Sequence, residues 1–228
     1  MDEKLFRTGN KLRIVSATFN EKYNNCLVSS LELIEEARLG LEPEQREEFF
    51  NRMIECVNGF ENKKLQGFVL EFLKANIAEL LIAPAAKLMH HNYVGGLLVH
   101  TCECVEYALK LYDSLSNLGV TRDELLAACI LHDAGKIFEY VINTETGLID
   151  YNEEFRKDWL THTQYAFSMC MNQGFNRVAK MIAAHHSRTE WGAIIDLNEK
   201  GLENYIYILH HLDDMSAKFG KINISLLS

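Results

Sequence analysis

From residue 31 onward the apolar positions recur at three- and four-residue spacing, the period of an amphipathic helix. Leu31, Leu33, Ile34 and Ala37 open a first helix that stops near Gly40. Pro43 stands where a helix tolerates proline, in its first turn, and Phe49, Phe50, Met53, Ile54 and Val57 form the stripe of a second. A third runs from about 65 to 82 with Phe68, Val69, Phe72, Leu73, Ile77, Leu80 and Leu81 on its apolar side, and Pro84 ends it. Ahead of these helices, residues 1–30 mix polar and β-branched types, and 13–19 (RIVSATF) reads as a short strand.

A break follows at residues 84–96 (PAAKLMHHNYVGG), where Gly95 and Gly96 mark a tight loop into a helix from about 97 to 118, ended by Gly119. Thr121-Arg122-Asp123-Glu124 spells a capping box. In it the Thr121 hydroxyl accepts from the Glu124 amide while the Glu124 side chain reaches back. The helix it opens carries Leu125, Leu126, Ala128, Cys129 and His132. Residues 138–151 (FEYVINTETGLIDY) alternate around a polar turn with Gly147, which predicts a small β-hairpin. Helices follow at roughly 155–173, 175–187 and 202–219. The pattern predicts an all-α fold: a helical bundle over 84–228 with one small β-hairpin insertion, preceded by an N-terminal helical extension over 1–83. The apolar stripes of that extension are wide enough to pack on the bundle or to mediate homo-oligomerisation.

Chemistry enters with the histidines, all 9 of which lie between residues 90 and 211. His100 shares a helix face with Leu97, Cys104 and Tyr107. His132 continues the stripe of Leu125, Ala128 and Cys129, and Asp133 follows it. His185 lies on the stripe of Val178 and Ile182, and Asp213 on that of Ile206 and Leu209. Each is a polar group aimed at a core, and burying such a group is costly unless it is paired or binds a metal. The alternative for any one of them is an individually hydrogen-bonded core histidine. For several converging from different helices a metal site is the better account, because bundles build such sites from facing side chains.

The order His100, His132-Asp133, His162, His185-His186, Asp213 resembles the HD-domain metal-dependent phosphohydrolases, in the form that holds two metals. The segments HHNYVGGLLVHT (90–101), LLAACILHDAGKIFEY (125–140), IAAHHSRTEWG (182–192) and LHHLDDMSAK (209–218), with PAAK (84–87), are most similar to bacterial HD-domain 3′–5′ exoribonucleases of the YhaM type. The resemblance covers roughly residues 84–218. It implies that His100, His132, Asp133 and Asp213 hold one metal, that His162, His185 and His186 hold a second, and that Asp133 bridges the two. A water between the ions would then lose its proton near neutral pH and attack a phosphate whose charge the same ions offset. An imidazole-rich donor set suits two divalent transition-metal ions, Mn, Fe, Co, Ni or Zn, better than Mg or Ca.

Lys136, which matches the lysine of the HD-x-G-K pattern, is assigned to phosphate binding or to transition-state charge; the alternative is a solvated lysine at a helix end. His91 is assigned to the leaving group or the phosphate. Arg188 is a candidate phosphate contact or a solvated arginine, and Tyr93 and Trp191 are candidate base-stacking residues or core packing. Two departures stand out. The exoribonucleases of that type carry an N-terminal OB-fold, and about 30 residues ahead of the first helix leave no room for one. Ser216 stands where a second acidic residue is expected after Asp213. The Gly-Tyr-Pro signature of the cyclic-dinucleotide phosphodiesterase branch is absent.

Composition narrows the partner. With 23 basic against 32 acidic residues the formal charge is −9, which repels a polyphosphate backbone unless metal ions supply positive charge. The expected substrate is therefore a nucleotide or a short oligonucleotide cleaved at a phosphoester or phosphodiester bond. The alternatives are an exonuclease proper, or a non-catalytic nucleotide-binding module, which would show decayed ligand positions. The 6 cysteines form no C-x-x-C pair and read as buried reduced thiols. The first residues show no signal peptide, and no apolar run approaches the ~20 residues that span a bilayer. The expectation is a cytoplasmic enzyme with no membrane contact.

Overall fold

The computed structural model describes residues 10–35, 39–115, 117–157 and 161–220. Its first elements correct the reading of the N-terminal region. Strand β1, Lys11–Asn20, pairs antiparallel with β2, Asn25–Glu35, around a turn at 21–24. The expected strand at 13–19 lies inside β1, but Leu31, Leu33 and Ile34 belong to β2 and not to a helix; Ala37 falls outside the described residues. Leu31 sits opposite Ile14 and Leu33 opposite Leu12. Three apolar residues at helical spacing are too short a run to fix the period, and cross-strand pairing decides it here.

The helices then follow largely as patterned. Pro43 starts α1, Pro43–Asn58. The third expected helix is two: α2, Lys63–Ala75, and α3, Ile77–Ile82, separated at Asn76, where the backbone leaves the helical region at φ −121°. α4, Gly96–Leu111, is buried along its whole first half, and α5, Arg122–Leu131, is buried from Leu125 to its end. The Thr121–Glu124 capping box forms in both directions. A single turn, α6 (Lys136–Glu139), leads into β3, Tyr140–Ile142, which pairs with β4, Ile149–Tyr151. The next expected helix is also divided, into α7, Glu153–Lys157, and α8, His162–Asn172. α9, Asn176–Ala184, and α10, Tyr205–Phe219, complete the bundle.

One hydrophobic cluster runs through α1, α2, α4, α5, α8, α9 and α10, with Phe49, Leu65, Leu98, Leu125, Ala166, Met181 and Leu209 among its members. α4 and α5 are its centre. Two glycines permit the close approaches that shape the site. A Cβ on Gly96 would fall 2.0 Å from the His91 carbonyl oxygen, and one on Gly135 would fall 2.4 Å from the His162 Cα. The architecture of the described residues is therefore a helical bundle with two small sheets. No helix among the described residues is long and apolar enough to cross a membrane.

Candidate metal centre

The side chains that converge come mostly from helix ends. His132 follows the last residue of α5 and His185 the last of α9. Each ring donates its Nδ1 proton to a carbonyl of its own last turn, His132 to Cys129 at 2.8 Å and His185 to Ile182 at 2.6 Å. A carbonyl only accepts, so Nδ1 carries the proton and Nε2 faces the other way with a lone pair. His162, at the start of α8, turns its Nδ1 to the Glu139 carboxylate at 2.5 Å. His100, buried in α4, meets the Ser216 hydroxyl through Nδ1 at 2.9 Å, and that hydroxyl donates to Glu103 at 2.6 Å. His100, His132, His162 and His185 therefore each have Nδ1 engaged and Nε2 turned inward.

These inward nitrogens surround Asp133. Its Oδ2 lies 3.5 Å from both His100 Nε2 and His132 Nε2. Its Oδ1 lies 3.5 Å from His162 Nε2 and 3.7 Å from His185 Nε2. Asp213 joins the first group, 3.2 Å from His100 Nε2 and 4.0 Å from His132 Nε2. His186 joins the second, its Nε2 2.8 Å from that of His162. All seven residues expected as metal ligands thus meet in one place, in two groups about a single carboxylate.

The electrostatics suit a cation. Burial pushes the His100 imidazole below its ordinary value and His185 well below it. Burial, and then the His162 ring, lower His186 from 6.5 to about 4. Burial by itself would raise the carboxyls of Asp133 and Asp213. Lys136 and the surrounding imidazoles instead hold Asp133 well below the usual carboxylate range, and the adjacent His100 ring does the same for Asp213. Neutral imidazoles and ionised carboxylates are a transition-metal donor set. Two further observations fit a metal. His100 Nε2 and His132 Nε2 stand 3.1 Å apart with both Nδ1 protons used elsewhere, so two lone pairs face each other. Asp133 Oδ1 and His185 Nε2 are buried without a hydrogen-bond partner, a costly state in a protein interior unless a cation takes up both.

A cavity of about 440 Å³ opens over this cluster, bounded by Lys136, His185, His186, Asp213, His90 and Trp191. Lys136 pairs with Asp133 at 2.6 Å and faces the cavity. Trp191 is 62% exposed at the rim, and the Arg188 guanidinium lies over its ring at 5.1 Å; Arg188 itself is exposed and does not bound the cavity. Tyr93 is part-buried and packs against the core beside His91. His91, with φ at 54°, lies a layer behind the wall, its Nε2 3.3 Å from Glu103, while its neighbour His90 forms the wall itself. Glu139 and Glu103 were not singled out in the sequence. The signal for Glu139 is its place one helical turn beyond Lys136 on the same short helix, and for Glu103 its place three residues after His100 on a buried helix.

Comparison with known proteins agrees with this geometry. The sequence profile of the HD domain matches residues 97–218, more than half of the chain. A second profile, TraI_2, whose description is of a helicase, matches residues 28–119, under half of the chain, and does not set the family. The chain is 26% identical over 230 residues to a 3′–5′ exoribonuclease YhaM of Oceanobacillus iheyensis, covering 97% of this chain and 67% of that protein. It is 30% identical over 187 residues to a dihydroneopterin 2′,3′-cyclic phosphate phosphodiesterase of Methanocaldococcus jannaschii, covering 76% of this chain and 71% of the relative. A 3′–5′ exoribonuclease YhaM of a Geobacillus species is 26% identical over 193 residues, of which the chain spans 56% of the relative's length. No solved structure matches. With the His132-Asp133 pair inside the matched region and hydrolases as its relatives, the chain belongs to the HD-domain family of metal-dependent phosphohydrolases.

Proposed function

We propose that this protein hydrolyses phosphoester or phosphodiester bonds of nucleotides or short oligonucleotides at a site for two divalent transition-metal ions. The observation that carries the reading is the division of the Asp133 carboxylate: one oxygen faces His100 and His132, the other faces His162 and His185. On this reading His100, His132, Asp133 and Asp213 hold one ion, and His162, His185, His186 and Asp133 the other. Two ions bound there would acidify a coordinated water and offset the negative charge on the phosphate oxygens.

The chain's own residues have the remaining work. Lys136 brings an ammonium to the cavity floor, where it meets a phosphate oxygen. Trp191, with Arg188 across its ring, offers a flat surface for a base at the rim; base–aromatic stacking contributes about 1–3 kcal/mol. His90 bounds the opposite wall, with His91 behind it. The modest volume of the cavity and the −9 charge favour a small substrate over a long strand. The relatives divide along that same line, one named for a cyclic phosphate ester and two for RNA ends.

The test is elemental analysis of the purified protein, followed by Mn²⁺ titration with bis-p-nitrophenyl phosphate, 2′,3′-cyclic nucleotides and a short oligoribonucleotide. About two ions per chain with metal-dependent cleavage of the small esters is the expected result. Cleavage of the oligoribonucleotide alone would establish the nuclease reading, and no bound metal with no turnover would leave a nucleotide-binding module.

A further inference from the structure

Two features near the site remain unused by that reading. Glu103 is a carboxylate only 3% exposed, inside the buried first half of α4. Ser216 lies on α10 one turn beyond Asp213 and is likewise buried. They are joined: the Ser216 hydroxyl lies 2.6 Å from Glu103 Oε2 and 2.9 Å from His100 Nδ1. A carboxylate accepts, so the hydroxyl proton points to Glu103, and the Ser216 oxygen is left to accept the Nδ1 proton of His100. The chain of donors runs one way, from His100 through Ser216 to Glu103. His91 Nε2 flanks the same carboxylate at 3.3 Å, and a Cβ at Gly220 would strike Glu103 Oε2 at 2.5 Å. Glu103 is thus hemmed in on several sides and has little freedom to turn away.

The consequence falls on His100 Nε2. With Nδ1 committed as a donor, Nε2 keeps its lone pair and is held toward Asp213 and His132, 3.2 and 3.1 Å away. The other three rings are fixed by single direct partners, Cys129 and Ile182 carbonyls and the Glu139 carboxylate. His100 alone is fixed through an intermediary contributed by a different helix. α10 therefore supplies the first group twice, with Asp213 facing the rings directly and Ser216 setting the ring of His100 from behind.

We propose that Glu103, acting through the Ser216 hydroxyl, is a positioning residue that sets the tautomer and orientation of His100 and so the affinity of the metal position His100 shares with His132 and Asp213. The inference rests on the two-metal reading and adds to it a residue pair that touches neither ion nor substrate. Loss of such an orienting partner ordinarily costs 10–100-fold in metal affinity.

The experiment is a calorimetric titration of metal-stripped protein with Zn²⁺, together with the visible spectrum of the Co²⁺-loaded form, for wild type, Ser216→Ala, Ser216→Thr and Glu103→Gln. Ser216→Ala is expected to weaken one of two ions about 10–100-fold and leave the other at wild-type affinity, with a changed Co²⁺ band. Ser216→Thr, which keeps the hydroxyl, is expected to restore both. Glu103→Gln, nearly isosteric and still able to accept from Ser216, is expected to lie between wild type and Ser216→Ala. Wild-type affinity and an unchanged Co²⁺ spectrum in both Ser216→Ala and Glu103→Gln would overturn the proposal while leaving the two-metal reading intact. Equal weakening of both ions would also overturn it, as the mark of a general packing defect. Failure of the wild-type protein itself to bind Zn²⁺ or Co²⁺ would overturn the two-metal reading, and the proposal with it.

Discussion

The α5–α9 region and the β1–β2 hairpin are both rich in large apolar residues, yet they end in opposite situations. Leu125 to Leu131 are buried without a gap, as are Val178, Ala179 and Met181 to Ala184. On the hairpin Ile14, Val15, Phe19, Leu27 and Val28 are all exposed, and the two strands make their contacts chiefly with each other. Apolar patterning says that a surface gains by being covered; whether anything covers it depends on neighbours elsewhere in the chain. The helices have those neighbours, and their ends are held firmly enough to carry polar groups into the core. Among the described residues the hairpin pairs with no third strand, an arrangement that is marginal for two strands alone.

The largest effect tests the buried side of that contrast. Asp133→Ala removes the carboxylate that faces both histidine groups. The expected result is loss of both ions and a fall in turnover of about 10³-fold or more, since several kcal/mol of charge stabilisation go at about 1.4 kcal/mol per tenfold. Elemental analysis and kinetics on bis-p-nitrophenyl phosphate check it, and a metal-loaded, active Asp133→Ala protein would end the two-metal reading. Next comes packing. Phe49 is 1% exposed in the shared core, and Phe49→Ala is expected to lower unfolding stability by about 3–5 kcal/mol in urea titration. A smaller effect separates the two halves of the site. Glu139→Gln leaves an acceptor for His162 Nδ1 but takes away its charge, so it is expected to weaken one ion about tenfold and spare the other. Calorimetry alongside Ser216→Ala should show the two substitutions striking different ions.

Much of this was readable from the residues because it depends on local rules. The Thr121–Glu124 box, Pro43 at a helix start and the polar turn between β3 and β4 are short-range signals, and each formed. The metal cluster was readable because seven polar groups on apolar stripes need a common explanation. What escaped depends on contacts between distant segments. Asn76 divides one apolar stripe into two helices, a break no proline or glycine announces. Ser216 looked like a missing acid until the carboxylate of Glu103 was found behind it, 113 residues away in sequence. Leu31, Leu33 and Ile34 matched a helical spacing by coincidence, and only β1 across the hairpin shows them to be a strand.

The smallest expected effect is the most direct trial of the comparison. Phe19 and Leu27 are 55% and 58% exposed, opposite Cys26 and Thr18 on the paired strand. Replacing both, Phe19→Ser with Leu27→Ser, deletes more apolar surface than Phe49→Ala does. If exposure governs, unfolding stability should change by no more than about 0.5 kcal/mol per site, and metal binding and turnover should stay at wild-type values. Urea titration over a range of protein concentrations distinguishes this from the opposite case. A loss of several kcal/mol that grows with protein concentration would mean that a second copy covers the hairpin in solution. The two regions would then differ only in which chain supplies the covering surface.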